Sequence, residues 1–323
     1  MPRAHDSMRA SSTPQRLHFK KKNSTGHGYG KLLSSATTPK DQLKPPAVTS
    51  MSIPTKVAGF LACLKFDNPL QLIVSRLIFR KSRFVAHRWN GLQFIADQEG
   101  GDECGLRPCL VEGMYDPFIQ ATGIFQSRAP RNVADFGANA GGFSLLFAVP
   151  TVKIKKLVAV EMNPLTHARM RLNLLTNFGP KAVPINAAVG GCSMSLNVPF
   201  TSGGTGDRIH LSRGADDSCF CVPMRTLDDL LNAEFPSQKI DLLKMDIEGC
   251  EWDVLETGQC ERLRDCHHLL IEVHPHSGRG ITDFQKAVKP YGLELREVRN
   301  AGAEDVFLFS QNAIASSESG ANH

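Results

Sequence analysis

The chain has 323 residues, 41% of them apolar and 21% charged, the balance of a globular protein that can bury one large core or two small ones. Its formal net charge is +5. However, nine Lys or Arg against only Asp6 and Asp41 fall in the first 50 residues, so the remainder is near neutral and presents no broad nucleic-acid surface. The longest apolar run, Val57 to Leu64, is far too short to span a bilayer. Nine scattered cysteines without a Cys-x-x-Cys pair point to reduced thiols rather than a disulfide framework.

Residues 1–52 are rich in Ser, Thr, Lys and Pro and read as a disordered basic arm. They lack an apolar h-region, which excludes a secretory signal. A basic, acid-poor composition permits a transit peptide, so the expected location is the cytoplasm, with a mitochondrion or plastid as the alternative. Residues 53–112 read as an N-terminal extension. It holds a helix over Leu70 to Phe79, whose basic end (Arg76, Arg80, Lys81, Arg83) is a solvated helix terminus or a peripheral membrane contact. Asn90-Gly91 between two alternating apolar runs predicts a hairpin, because a type I′ turn needs positive φ twice. Gly100 to Pro108 reads as a loop, and Met114 to Phe125 as a helix.

From residue 113 to 311 strands and helices alternate, and 312–323 read as a disordered tail. Strands are expected at Asn132–Phe136, Lys156–Glu161, Ala182–Ala188, Ile240–Asp246 and His268–His274. Helices are expected at Phe143–Phe147, Pro164–Thr176, Thr226–Leu231, Glu251–Glu256 and Ile281–Pro290. Ser193–Val198 and Cys219–Val222 form a candidate hairpin around a Gly-rich insert, 190–218, that could act as a lid. The last two strands, Leu293–Arg299 and Asp305–Ser310, are joined too tightly for a parallel crossover and should pair antiparallel. The expected fold is α/β: a doubly wound, seven-stranded, mostly parallel sheet with an antiparallel last strand.

The chain is organised around Asn132 to Leu146, NVADFGANAGGFSLL. A strand carrying Asp135 runs into a turn with Gly137, Asn139 and Gly141, then a helix. Such a turn brings backbone N–H groups to a ligand. The spacing departs from the dinucleotide pattern G-x-G-x-x-G; Asp-x-Gly-x-Asn-x-Gly is similar to the first motif of S-adenosylmethionine (SAM) methyltransferases.

Ligands of such sheets lie at the carboxyl ends of the strands. The polar residues there are Asp135, Glu161, Asn186 with Ala187, Asp246, and Glu272 with His274. Glu161 is suited to a ribose diol, whereas a surface Glu before an Asn-Pro cap is the plain alternative. Asn186 and Ala187 stand where an adenine edge would lie, or form a turn. In Lys244-Met-Asp246-Ile-Glu248-Gly-Cys-Glu251, period two places Lys244, Asp246 and Glu248 on one side. Glu251 is accounted for by the dipole of the helix it opens. His274 stands nearest the ligand edge.

Four blocks then carry a resemblance: Val133-ADFGANAGGFS, Val222-PMRTLDDLL, Ile240-DLLKMDIEGCEWDVL and Leu270-IEVHPH. In order and spacing the chain resembles the FkbM family of SAM-dependent methyltransferases, from about Tyr115 to Phe284. The resemblance implies a class I fold, SAM as methyl donor and a hydroxyl acceptor on a small molecule, sugar or lipid-like compound. Asp135, Gly137, Asn139 and Gly141 would hold the methionine part, Glu161 the ribose, and Asn186 and Ala187 the adenine. His274 or Asp246 would serve as base beside Glu248. Asp246, Glu248 and His274 could also bind Mg²⁺ between them. Competing readings are a catalytically inactive SAM-binding scaffold, an NAD-dependent oxidoreductase, which the glycine spacing opposes, and a nucleic-acid methyltransferase. No Asn-Pro-Pro-Tyr-like pocket for a flipped base follows the fourth strand.

Overall fold

The structure, a computed structural model, describes residues 61–78, 83–149, 151–199, 219–274, 279–301 and 304–312. All belong to the second of two units, Ile53–His323. The expectations for the arm 1–52, the cluster at Arg80 and Lys81, most of the 190–218 insert, His276 and the tail beyond 312 lie outside the described residues. Among the described residues no helix is long and apolar enough to cross a membrane.

Helix α1 (Pro69–Ile78) precedes strands β1 (Phe84–Trp89) and β2 (Leu92–Asp97). The hairpin forms as expected: Asn90 and Gly91 take φ of 47° and 81°, and Trp89 pairs with Leu92. The loop expected over 100–108 is instead helix α2 (Asp102–Leu110), with Pro108 inside it. Composition disfavours a helix there. Tertiary burial overrides it, since Leu106, Cys109 and Leu110 enter the core and Asp102 is fully buried against Arg169. The next helix, α3 (Asp116–Thr122), is shorter than expected because Gly123 caps it at φ 68°.

Strand β3 (Arg131–Phe136) leads into the short helix α4 (Gly142–Leu145). There follow β4 (Ile154–Glu161), α5 (Pro164–Phe178), β5 (Ala182–Asn186), β6 (Ala188–Val189), β7 (Met194–Pro199), β8 (Cys219–Arg225) and α6 (Leu227–Glu234). The chain closes with β9 (Ile240–Met245), α7 (Glu251–Glu256), β10 (Cys266–Val273), α8 (Ile281–Val288), β11 (Leu293–Ala301) and β12 (Glu304–Gln311). Two helices start at the caps the residues predict. The Asn163 side chain accepts from the amides of Leu165 and Thr166, and that of Thr226 accepts from Asp229.

The main sheet has the order β11-β12-β10-β9-β3-β4-β5. Only β12 runs antiparallel to its neighbours, β10 and β11; the other pairings are parallel. This is the expected mostly parallel sheet with an antiparallel last strand. One expected strand is divided: β5 ends at Asn186, and Ala188–Val189 leave to pair with β8 in a small sheet with β7. The Asn186 amide ends the strand by donating to the carbonyls of Glu161 and Met162, at 2.9 and 2.8 Å.

Alternation along the central strands fills two cores. Val133 and Leu157 face α5, α2 and the hairpin; Ala134, Phe136 and Val158 face α6, α7 and α8. Buried His268, on β10, has Nδ1 2.8 Å from Ser310 Oγ on β12. Burial pushes this imidazole down to about 4. Folded His268 is therefore neutral where an unfolded His, near 6.5, begins to charge. Its contribution to stability is present above pH 6.5 and is lost as the pH falls toward 4. Between pH 7 and 4.5 the wild type should lose roughly 2–3 kcal/mol more than His268→Leu. Denaturant unfolding at the two pH values measures this, and equal losses would refute it.

Candidate functional site

The turn after β3 is shaped by close backbone approach. Gly137 has φ 75°, and a Cβ there would stand 1.6 Å from the carbonyl oxygen of Asp246. Gly137 and Ala138 both donate to the Val160 carbonyl, at 3.0 and 2.9 Å. One residue on, the amide of Asn139 donates to Glu161 Oε2 at 2.9 Å, and Asn163 donates to Oε1 at 2.8 Å. The glycine turn is thereby clasped to the end of β4, with Glu161 as the clasp.

The segment after β9 is held as tightly. Asp246 donates its amide to the Phe136 carbonyl at 3.0 Å. Glu248 adopts φ 56° and Gly249 φ 102°. Ile247 and Gly249 donate to Glu251 Oε1, at 3.1 and 3.2 Å. Glu251 is fully buried, so its role exceeds the helix-dipole charge expected of it. The same oxygen lies 3.0 Å from His274 Nδ1. His274 Nε2 faces Glu248 Oε2 at 3.3 Å and Asp246 Oδ1 at 4.0 Å. Burial opposes charge on His274. Its hydrogen bonds to Glu248 and Glu251, with their charges, outweigh that, and the imidazole is pushed up to about 11. As arranged, His274 carries its proton at neutral pH.

Lys244, nearly buried, donates from Nζ to the Gly137 carbonyl at 2.9 Å and to Asp246 Oδ2 at 3.0 Å. Behind it lies Asp135, fully buried, 3.7 Å away through Oδ1 and bonded through Oδ2 to Ser144 Oγ at 2.6 Å. Burial pushes the Asp135 carboxyl up, against the pull of Lys244 and Ser144.

Two cavities open at this rim. The first, of about 400 Å³, is lined by Glu161, Met162 and the 187–189 segment. The second, of about 810 Å³, is lined by Asn139, Lys244 and Glu272 and by residues of α2 and the turn after it. Gly137, Asp246 and Glu248 border both. Of the sequence candidates, Gly137, Glu161, Ala187, Asp246 and Glu248 therefore meet at one cavity and Asn139 at the other, with His274 directly behind Glu248. Asp135, Gly141 and Asn186 line neither. Asp135 supports Lys244, Gly141 packs on Leu174 and Met170, and the Asn186 amide is spent on backbone carbonyls.

Lys244, Asp246 and Glu248 all reach the second cavity, although the strand that was to align them ends at Met245. Sequence reasoning missed the structural part played by Glu251, and it missed the α2 wall. Nothing local in 100–108 marks a helix, whereas the position of Glu251, three residues after Glu248, was a usable signal.

Asp246, Glu248 and His274 each offer a ligand atom, all within 4.8 Å of one another. Mg²⁺ prefers an all-oxygen octahedron, and here a protonated His274 already joins the two carboxylates.

A family profile described as the methyltransferase FkbM domain matches residues 135–301, just over half the chain. No curated protein matches. Among solved structures, the methyltransferase FkbM of Methylobacillus flagellatus KT is 20% identical, with a TM-score of 0.40, over 56% of this chain and 43% of that one. The chain thus spans less than half the length of that relative. TYW2 of M. jannaschii, in complex with AdoMet, is 15% identical over 71% of this chain and 85% of that one, with a TM-score of 0.38. Magnesium protoporphyrin IX methyltransferase of Synechocystis PCC 6803, with bound SAM, is 8% identical over 65% and 83%, with a TM-score of 0.39. A profile covering the glycine turn, the clasp and both carboxylate-bearing strand ends accounts for the whole rim, and the chain belongs to the FkbM family of methyltransferases.

Proposed function

We propose that the protein transfers a methyl group from SAM to a hydroxyl of a small-molecule, sugar or lipid-like acceptor. The observation that carries this is the junction of two cavities at Gly137, Asp246 and Glu248. Molecules held in the two cavities would meet at that junction. Glu161 borders the first, and a carboxylate can accept from both hydroxyls of a ribose. The adenine would lie along Ala187. Gly137 borders both cavities, so the methionine part would cross beside it.

When bound, SAM supplies a methyl group on a sulfonium. The chain's own task is then to hold the acceptor oxygen in line with it and to remove a proton. A protonated His274 has no lone pair to offer, which favours Asp246 as the base. Its Oδ2 is fixed by Lys244, and the residue borders both cavities. His274 instead orients Glu248, with Nε2 3.3 Å from Oε2.

Labelled SAM incubated with cell extract should mark an acceptor. Glu161→Ala should weaken SAM binding about tenfold or more, roughly 1.4 kcal/mol, by calorimetry. His274→Ala should leave that affinity within about threefold and lower turnover by about 10². Normal turnover in His274→Ala would remove His274 from the mechanism.

A further inference from the structure

One side of the second cavity is built by residues outside the segment matched by the family profile, on α2 and the turn that leads to α3. The lining side chains there are Leu106, Pro108, Cys109, Met114 and Tyr115, and only Tyr115 carries a side-chain oxygen. Tyr115 is 4% exposed, and its ring stands edge-on to Phe143 with centroids 5.1 Å apart. The main chain around it is pinned on both sides. Met114 donates its amide to the Pro108 carbonyl at 3.0 Å, and the Tyr115 carbonyl accepts from Ile119 at 3.0 Å. Helix α2 is itself anchored by the bidentate pair of Asp102 with Arg169, at 2.6 and 2.9 Å. The phenol is thus in place before any ligand arrives, which lowers the cost of binding.

Among the described residues the Tyr115 hydroxyl has no hydrogen-bond partner, yet it is not sealed inside the protein. A hydroxyl taken out of bulk water ordinarily keeps a partner, because leaving one unmet is costly. The space that Tyr115 lines is the second cavity, which also reaches Asp246. Burial pushes the phenol well above its usual value of 10, against the pull of Lys244. It therefore holds its proton at neutral pH and has a hydrogen bond to donate.

Resting on the methyltransferase reading, we propose that Tyr115 is an acceptor-binding residue, whose hydroxyl donates a hydrogen bond to an oxygen of the methyl acceptor in the second cavity. Asp246 meets the reacting hydroxyl at the junction, and Tyr115 holds the acceptor from the α2 side.

Tyr115→Phe keeps the ring and its packing on Phe143 and removes only the donor. The full-length chain and this variant are each given saturating labelled SAM and a dilution series of one cell extract. The rate of label transfer against extract concentration gives a half-saturation point and a plateau without the acceptor being identified. Tyr115→Phe should need about three- to tenfold more extract to reach half its plateau. Its affinity for SAM by calorimetry and its midpoint of denaturant unfolding should match the wild type. An unchanged half-saturation point would overturn the proposal. So would a shift accompanied by weaker SAM binding or a lower unfolding midpoint, which would mark Tyr115 as structural. Absence of label transfer by the wild type would instead sink the methyltransferase reading itself.

Discussion

Gly137→Ala should abolish SAM binding and cost roughly 4 kcal/mol or more of stability, an effect in the uncommon tail of single substitutions. The added methyl would stand 1.6 Å from the Asp246 carbonyl oxygen. Neither partner can yield easily: Gly137 donates to Val160, and Asp246 donates to Phe136. Moving Asp246 would also drag the 246–250 segment that Glu251 holds. Gly91→Ala is the matched control. It has a similar φ, 81°, but nothing within 4 Å of the added atom, so it should cost only about 1–2 kcal/mol of backbone strain. Denaturant unfolding of both variants separates the clash from the strain. Equal costs would show that the 246 segment relaxes freely.

Asp102→Ala should cost roughly 3–5 kcal/mol, the usual penalty for stranding one member of a buried ion pair. Arg169 is 8% exposed at its side chain and Asp102 1%. Removing the carboxylate leaves the guanidinium with Asp97 at 3.6 Å and strips the Asp97 amide of its acceptor. The remaining contact to Asp97 places the effect nearer the lower bound. The midpoint of denaturant unfolding should fall with an unchanged slope. A loss below about 1 kcal/mol would mean that α2 is not anchored through this pair.

The rim illustrates how differently its parts could be foreseen. Glu161 and the glycine turn are legible because both sit at strand ends, where a parallel sheet places its ligands whatever the side chains do. Asp135 ends the same strand but points inward, since it shares its face with Val133. Asn186 is polar for a local reason, ending β5 through two backbone carbonyls. His274 could be placed at the ligand edge but not given a charge state. That depends on Glu251, 23 residues away, and on the left-handed turn at Glu248 that brings its carboxylate within 3.3 Å.

The sequence by itself determined the doubly wound sheet, the antiparallel last strand, the Asn90-Gly91 hairpin and the family. These follow from periodicity, turn chemistry and ordered motifs, which act over a few residues at a time. Only the tertiary structure decided that 102–110 is a helix, that this helix walls a cavity, and that His274 holds a proton between two carboxylates. Each of those depends on burial and on partners distant in the chain, such as Arg169 for Asp102 and Glu251 for His274. Desolvation and charge pairing have no local signature in the order of the residues.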